Sequence, residues 1–436
     1  MIVAMTDNII CRFLLFLITV VLVDFYYFPT TFTFFPSGNT KLYLALLGIV
    51  ALIVGLRKKA RAVIDKRLTL LLVLASMVSL CSLFSTTINH TSDDTYVSYV
   101  VSASVWLSAA YLVNSCIRAI YGKASVIRIC NFIIAVCVIQ CVIAILTAHS
   151  PEVQHFVDRI TDTVWLRSVN RIYGIGASLD TAGVHFALAL IMIAYILEKK
   201  ANSMSYGIIF LYILAFFFIV IVGNMVARVT TVGAVISLVY LFYKSNFYKL
   251  QVAPSLKKVF LIMGGVGVGV VPLIYHFYVT NVVFAKNIRF AFEGFFSLVN
   301  EGTWNVASNN TLKSMIVFPE SLKTWLVGDG YIVSPLNDPY YTGAVMHGYY
   351  MNTDIGYLRF IFYFGLIGLL LFSIYIICVN RLCQNSHPEH RALFFLFLIA
   401  NFIVWLKVST DLFFAFAILF LADREEQPRM VTSPSK

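Results

Sequence analysis

With 436 residues, 60% of them hydrophobic and only 12% charged, the chain has a mean hydropathy of +0.85, which excludes an ordinary soluble domain. The formal net charge of +11 would suit a nucleic-acid binder in a polar chain, but here it has to be read against membrane topology. Eight cysteines lie in or beside apolar runs, with no CxxC pair, so neither a disulfide framework nor a zinc or iron–sulfur site is expected.

Apolar runs of roughly 17–25 residues, the length that crosses a bilayer core, recur from end to end. They predict an all-α, polytopic membrane protein of about twelve helices, near residues 9–28, 41–56, 68–85, 96–117, 127–148, 181–197, 206–222, 226–243, 259–279, 356–379, 392–406 and 409–422. No small-residue cleavage site follows the first run, which is therefore expected to be retained as a helix. Three regions follow: residues 1–279 with nine helices and an outer loop at about 149–180, a large outer loop at 280–355, and residues 356–436 with the last three helices and a polar tail.

Basic residues near span ends stay on the cytoplasmic side. RKKARAVIDKR, Arg57 to Arg67, holds six of them. Arg118, Lys123, Arg128, Lys199, Lys200, Lys244, Lys249, Lys257, Lys258, Arg12, Arg381, Arg391 and the tail fall on the same side. That side carries 21 basic and 7 acidic residues, the other 11 and 14, so the net charges are +14 and −3 and reproduce the total of +11. The positive charge is a topology signal, and nucleic acid is not an expected partner. Both termini are predicted to be cytoplasmic, and the loops at 149–180 and 280–355 face outward.

Several motifs carry little. There is no GxxxxGKS/T loop for ATP. GGVGVGV, Gly264 to Val270, reads as a close helix-packing face before Pro272. No carboxylate pair has the spacing of a sugar-nucleotide metal site, no metal or other cofactor is expected, and Asp93-Asp94 reads as a solvated loop.

Ionisable residues at the outer face carry more. Arg228, in NMVARVTTVG, sits in a hairpin too short for an ordinary loop charge. An arginine at mid-bilayer costs about 2.5–3.5 kcal/mol on insertion scales, and such residues are often functional; the competing reading is snorkelling to lipid headgroups. In WLRSVNRIYGIGASLDTAGVHFALAL, Asp180 or Ser178 is the expected N-cap of the sixth helix. Arg167 and Arg171 stand where a guanidinium and a helix N-terminus can share an anion, or bind lipid generically. His347, Asp354 and Arg359 flank the start of the tenth helix, which Asn352, Thr353 or Asp354 would cap; His347 has a plain loop reading as well. Lys407 and Asp411, four apart, read as a structural ion pair. Asp24 and His185 are weaker candidates.

TLKSMIVFPESLKTWLVGDGY followed by TDIGYLRFIFYFGLIGLLLF resembles the large outer loop and following helix of the O-antigen polymerase (Wzy) family, itself related to the O-antigen ligases. RIYGIGASLDTAGVHFALAL is similar to the family's arginine-containing loop-to-helix junction, and ARVTTVG to its short arginine hairpin. The order of these patterns and their common side carry the likeness more than any one of them. Ligases usually show a His-Asn pair near the corresponding helix; here His347 is followed by Gly348, which favours the polymerase.

The resemblance implies a glycosyltransferase of the bacterial inner membrane. Such an enzyme moves a growing glycan from undecaprenyl pyrophosphate onto a newly flipped, lipid-linked repeat unit at the periplasmic face. Its partners would be those lipid-linked units and membrane lipids, with a chain-length regulator and a flippase of the same pathway as candidates. Arg171 and Arg228, with Arg289 as a weaker third, are expected to bind pyrophosphate, and Arg167 and Arg359 are further substrate-binding candidates. His347 or Asp354 would take the acceptor proton. A ligase is the alternative within the enzyme class. A flippase is the alternative outside it, although comparable halves would then be expected.

Overall fold

The computed structural model describes residues 9–35, 38–57, 66–161, 163–169, 171–246, 249, 253–339, 341 and 348–424. Helices dominate, and no strand is present among the described residues, which hold two isolated bridges, Thr31 with Asn39 and Val333 with Tyr349. In chain order the helices are α1 (Ile9–Tyr27), α2 (Thr40–Arg57), α3 (Lys66–Asn89), α4 (Tyr99–Tyr121), α5 (Val126–His149), α6 (Pro151–Thr161), α7 (Leu179–Lys200), α8 (Tyr206–Val226), α9 (Thr230–Lys244) and α10 (Pro254–Thr280). Four short ones follow, α11 (Val282–Ala291), α12 (Glu293–Glu301), α13 (Ala307–Ser314) and α14 (Leu322–Val327), and then α15 (Gly356–Ser386), α16 (Arg391–Val404) and α17 (Phe413–Phe420).

Each of the twelve predicted runs falls on a helix. Eight, namely α1, α3, α4, α5, α7, α8, α10 and α15, are long and apolar enough to cross a membrane. The other four are shorter, at 18, 15, 14 and 8 residues for α2, α9, α16 and α17. This is the architecture of an all-α, multi-pass membrane protein. Its outer surface agrees: Leu80, Leu211, Leu261 and Val268 all stand exposed, as apolar side chains do where lipid rather than water surrounds them.

The helix α7 is the axis of the packing. Every residue from Ala182 to Leu197 is buried, which a helix apolar on all sides requires. It packs against α8, α9, α5 and α16. At one end of the bundle, interactions join the segments whose basic residues share a predicted side. Arg118 bonds Asp423 at 2.9 Å, Arg67 donates to the Ser386 hydroxyl at 2.9 Å, and Tyr195 meets His390 at 2.7 Å.

Residues 280–355, expected as a loop, hold four short helices among the described residues. The pieces α11 to α14 are too short and too polar to span, and α11 turns Ile288 and Ala291 inward while Arg289 stays exposed. The other expected loop contains α6 and a 3-10 turn, Val164–Val169. Asp93 is not solvated. Its carboxylate accepts the Ile332 and Val333 amides at 2.9 and 3.3 Å and so pins the segment after α14 to the α3–α4 turn. The glycine face of α10 does not pack closely either: a Cβ at Gly264, Gly265 or Gly269 would meet nothing within 4 Å.

The tenth predicted helix is broken where it was expected to be continuous. Inside α15, Phe364 and Gly365 leave helical geometry, Gly365 at φ 68°. The freed carbonyls are satisfied from outside. Asp329 N donates to Phe362 O at 2.6 Å, Gly330 N to Tyr363 O at 3.1 Å, and the Ser85 hydroxyl also to Tyr363 O at 2.6 Å. A Cβ on Gly365 would lie 2.1 Å from the Leu326 carbonyl oxygen, a backbone atom that cannot swing aside. Gly365→Ala is therefore expected to lose α14 from the break and to lower the thermal midpoint in detergent sharply. The backbone there, φ 68° with ψ −174°, lies in a region essentially confined to glycine and alone costs about 1–3 kcal/mol for alanine. An unchanged midpoint would show that the break is not obligatory.

Candidate functional site

One cavity of about 660 Å³ is lined by Arg171, Asp180, Arg228, Arg289, Phe290, Glu293, Ser308, Thr311, Asp354 and Lys407, among others. These side chains come from the loop before α7, the first turn of α7, the α8–α9 hairpin, α11 to α13, the approach to α15 and the α16–α17 turn. The bundle gathers them at the end opposite the Arg118–Asp423 pair.

The loop bearing Arg171 is held by a carboxamide. Gln140 of α5 accepts the Ile175 amide at 2.9 Å and donates to the Ile175 carbonyl at 2.9 Å, while Asp24 takes its other hydrogen at 2.7 Å. Gly176, at φ 71°, passes so close to Thr30 that a Cβ would sit 2.0 Å from its hydroxyl. Asp24 thus serves the loop from within the bundle and does not line the cavity.

The hairpin Ala227–Val229 presses on Gly183 of α7, where an added Cβ would lie 2.8 Å from that of Ala227. Small residues there let Arg228 reach out beside the start of α7. Its guanidinium donates to Phe290 O at 2.9 Å and to the Ser308 hydroxyl at 2.7 Å, and pairs with Glu293 at 2.5 Å. Arg171 and Arg228 both lie over the Phe290 ring, at 4.5 and 4.1 Å. Burial lowers the Arg228 pKa; Glu293 opposes this, and the like charge of Arg171 adds to it. Two guanidiniums at one ring, mutually repelling, invite an anion.

Arg289 donates to the Tyr278 hydroxyl at 2.7 Å. Lys407 bonds Asp180 at 2.9 Å, which replaces the expected Lys407–Asp411 pair. The α16–α17 turn carries Lys407 toward α7, and Asp411 instead accepts the Phe413 amide at 2.8 Å. Asp180 is accordingly not the N-cap of α7, a position that Ser178 takes without a side-chain bond.

Asp354 does not cap α15, whose N-cap is Ile355 with no side-chain bond. Its carboxylate faces the cavity, with Arg359 at 3.7 Å. Burial raises its pKa above the usual 3.8; Arg359 and Lys407 pull it down, and Asp180 pushes it up.

Of the residues singled out from sequence, Arg171, Arg228, Arg289 and Asp354 meet in this cavity. Arg359 does not line it: buried, it donates to Ile332 O at 3.2 Å and lies 3.7 Å from the Tyr349 ring centre, so it braces Asp354 from behind. Arg167 is away too, pairing at 2.5 Å with Asp158, which also accepts from Tyr173 at 2.6 Å. His347 lies outside the described residues. Ser308, Thr311 and Glu293 gave no signal in sequence, because only the folding of α11 to α13 brings them to Arg228.

An apolar groove of about 490 Å³ runs between α9 and α16, lined by Val235, Val239, Tyr243, Phe395, Ile399 and Ile403, and shares no lining residue with the cavity. The two helices end at the cavity in Arg228 and Lys407, which lie just beyond them. Compared with protein-family models, with curated proteins and with solved structures, the chain matches none.

Proposed function

We propose that this chain is a glycan polymerase of the bacterial inner membrane that acts on undecaprenyl-pyrophosphate-linked saccharides, as the likeness to O-antigen polymerases implies. The observation that carries the reading is the meeting of Arg171, Arg228 and Arg289 with Asp354 in one cavity; an apolar groove runs between α9 and α16, the helices next to Arg228 and Lys407. A polyprenyl tail fits the groove, its pyrophosphate fits the guanidiniums, and the reacting sugars come to the carboxylate.

The chemistry needs little more. An acceptor hydroxyl attacks the anomeric carbon of the donor glycan and its proton passes to Asp354, or to His347. The bond from that carbon to the pyrophosphate oxygen breaks, and undecaprenyl pyrophosphate departs with the electron pair. The charge that develops on it is met by arginine forks. Pyrophosphate is already a good leaving group, so charge neutralisation matters more than acid catalysis.

In this topology the twelve apolar helices are the spans, the cavity lies on the periplasmic side and both termini lie in the cytoplasm. In cysteine-free protein, a single cysteine at Ser334 is expected to label from outside, and one at Ala62 only after permeabilisation. Outside labelling at Ala62 inverts the scheme and removes the cavity from the periplasm. Deleting the gene in its host and resolving the lipopolysaccharide on a gel tests the function itself. A core bearing one repeat supports the polymerase; a bare core points to a ligase or flippase.

A further inference from the structure

A second, smaller hollow of about 210 Å³ adjoins the cation cavity and shares two of its walls, Arg289 and Glu293. Its remaining walls are of different chemistry: Asn300 and Glu301 at the end of α12, Asn305, and the Phe296 ring. We infer that this hollow is a saccharide subsite, which holds a sugar ring of the lipid-linked glycan while its pyrophosphate lies against Arg171, Arg228 and Arg289. The inference rests on the function proposed above and adds to it where the sugar goes.

The walls select for a neutral polyol. Glu293 and Glu301 repel any second phosphate, so whatever extends from the arginines in this direction carries no negative charge. A carboxylate accepts from hydroxyls, and a carboxamide both donates and accepts, which together complement neighbouring hydroxyls on a ring. Phe296 stacks on Tyr278 with centroids 5.8 Å apart and planes at 20°, and the Tyr278 hydroxyl accepts from Arg289. One aromatic pair therefore links the apolar wall of the hollow to a cation of the cavity.

The far wall is built to keep its shape. Gly302, at φ 67°, ends α12 and turns the chain back. The buried Ser297 hydroxyl then grips Asn305 twice, accepting its amide and donating to its carbonyl, both at 2.9 Å. The Asn310 carboxamide donates to Asn305 Oδ1 at 2.8 Å. The side chain of Asn305 is thus oriented, with its NH₂ group left to donate.

The test measures binding of two lipids to the full chain in nanodiscs. One is sugar-free undecaprenyl pyrophosphate; the other is the lipid-linked saccharide extracted from the host deleted for this gene. Asn300→Ala and Glu301→Ala, both exposed changes, are expected to weaken the saccharide-bearing lipid roughly tenfold each, as loss of one good hydrogen bond does. Both should leave the sugar-free lipid unaffected, which also shows that the variants are folded. Unchanged binding of the saccharide lipid, or equal weakening of both lipids, overturns the subsite. If wild-type protein holds sugar-free undecaprenyl pyrophosphate no better than Arg228→Ala does, the pyrophosphate reading itself fails, and the subsite falls with it.

Discussion

Arg228→Ala is expected to abolish polymer in cells while leaving the protein level intact. Arg228 is anchored by Phe290 O, Ser308 and Glu293, so its fork is set before any ligand arrives. Removing one preorganised charge or donor at a developing anion typically costs about 10²–10³ in rate. Arg228→Lys should rescue poorly, because one ammonium cannot satisfy three partners and still face an anion. Glu293→Gln is a gentler probe: it relaxes the pair, keeps the positive charge and should slow the reaction without ending it. Chain lengths like those of wild type in Arg228→Ala, read on a lipopolysaccharide gel, would leave headgroup snorkelling as the account of this arginine.

Asp354 predicts a pH dependence. Only its ionised form accepts a proton, and burial holds its pKa above the usual 3.8. The rate of the purified enzyme should therefore fall as pH drops through that raised value, with an acid limb lying higher than an ordinary carboxylate would give. Asp354→Asn should remove the limb together with most of the activity. The same shift fixes a stability sign. A carboxyl whose pKa is raised by folding binds its proton more tightly in the fold, so above that pKa the ionised form costs stability. Asp354→Asn should then melt slightly higher than wild type at neutral pH while making no polymer. Asp180→Asn removes a charge that pushes the Asp354 pKa up and leaves Lys407 unpaired, so its acid limb should move to lower pH. Near-normal polymer from Asp354→Asn would shift the proton acceptor to His347, or dispense with one.

The four cations of the cavity divide into two classes. Lys407 and Arg228 have carboxylate partners, Asp180 and Glu293. Arg171 and Arg289 have no ion pair among the described residues, and their charge is the part available to a ligand. Arg167 differs from all four. Its partner Asp158 is buried, so changing Arg167 should affect the packing of α6 more than the yield of polymer.

Sequence alone determined the helices and marked the ionisable residues beside them. Long apolar runs have no other way to satisfy their backbone in lipid, so each of the twelve runs falls on a helix. It also marked Arg171, Arg228, Arg289 and Asp354, because a charge beside an apolar span is conspicuous. Tertiary structure decided which of these meet. Arg359 and Asp354 stand five residues apart, yet one is buried behind the cavity and the other lines it, since the turn into α15 points them differently. Lys407 passes over Asp411, four residues away, for Asp180, which is more than two hundred away. The break at Gly365 likewise depends on α14, whose backbone fills the gap. Local pattern records which residues are polar; the partner each one finds depends on helices packed from distant parts of the chain.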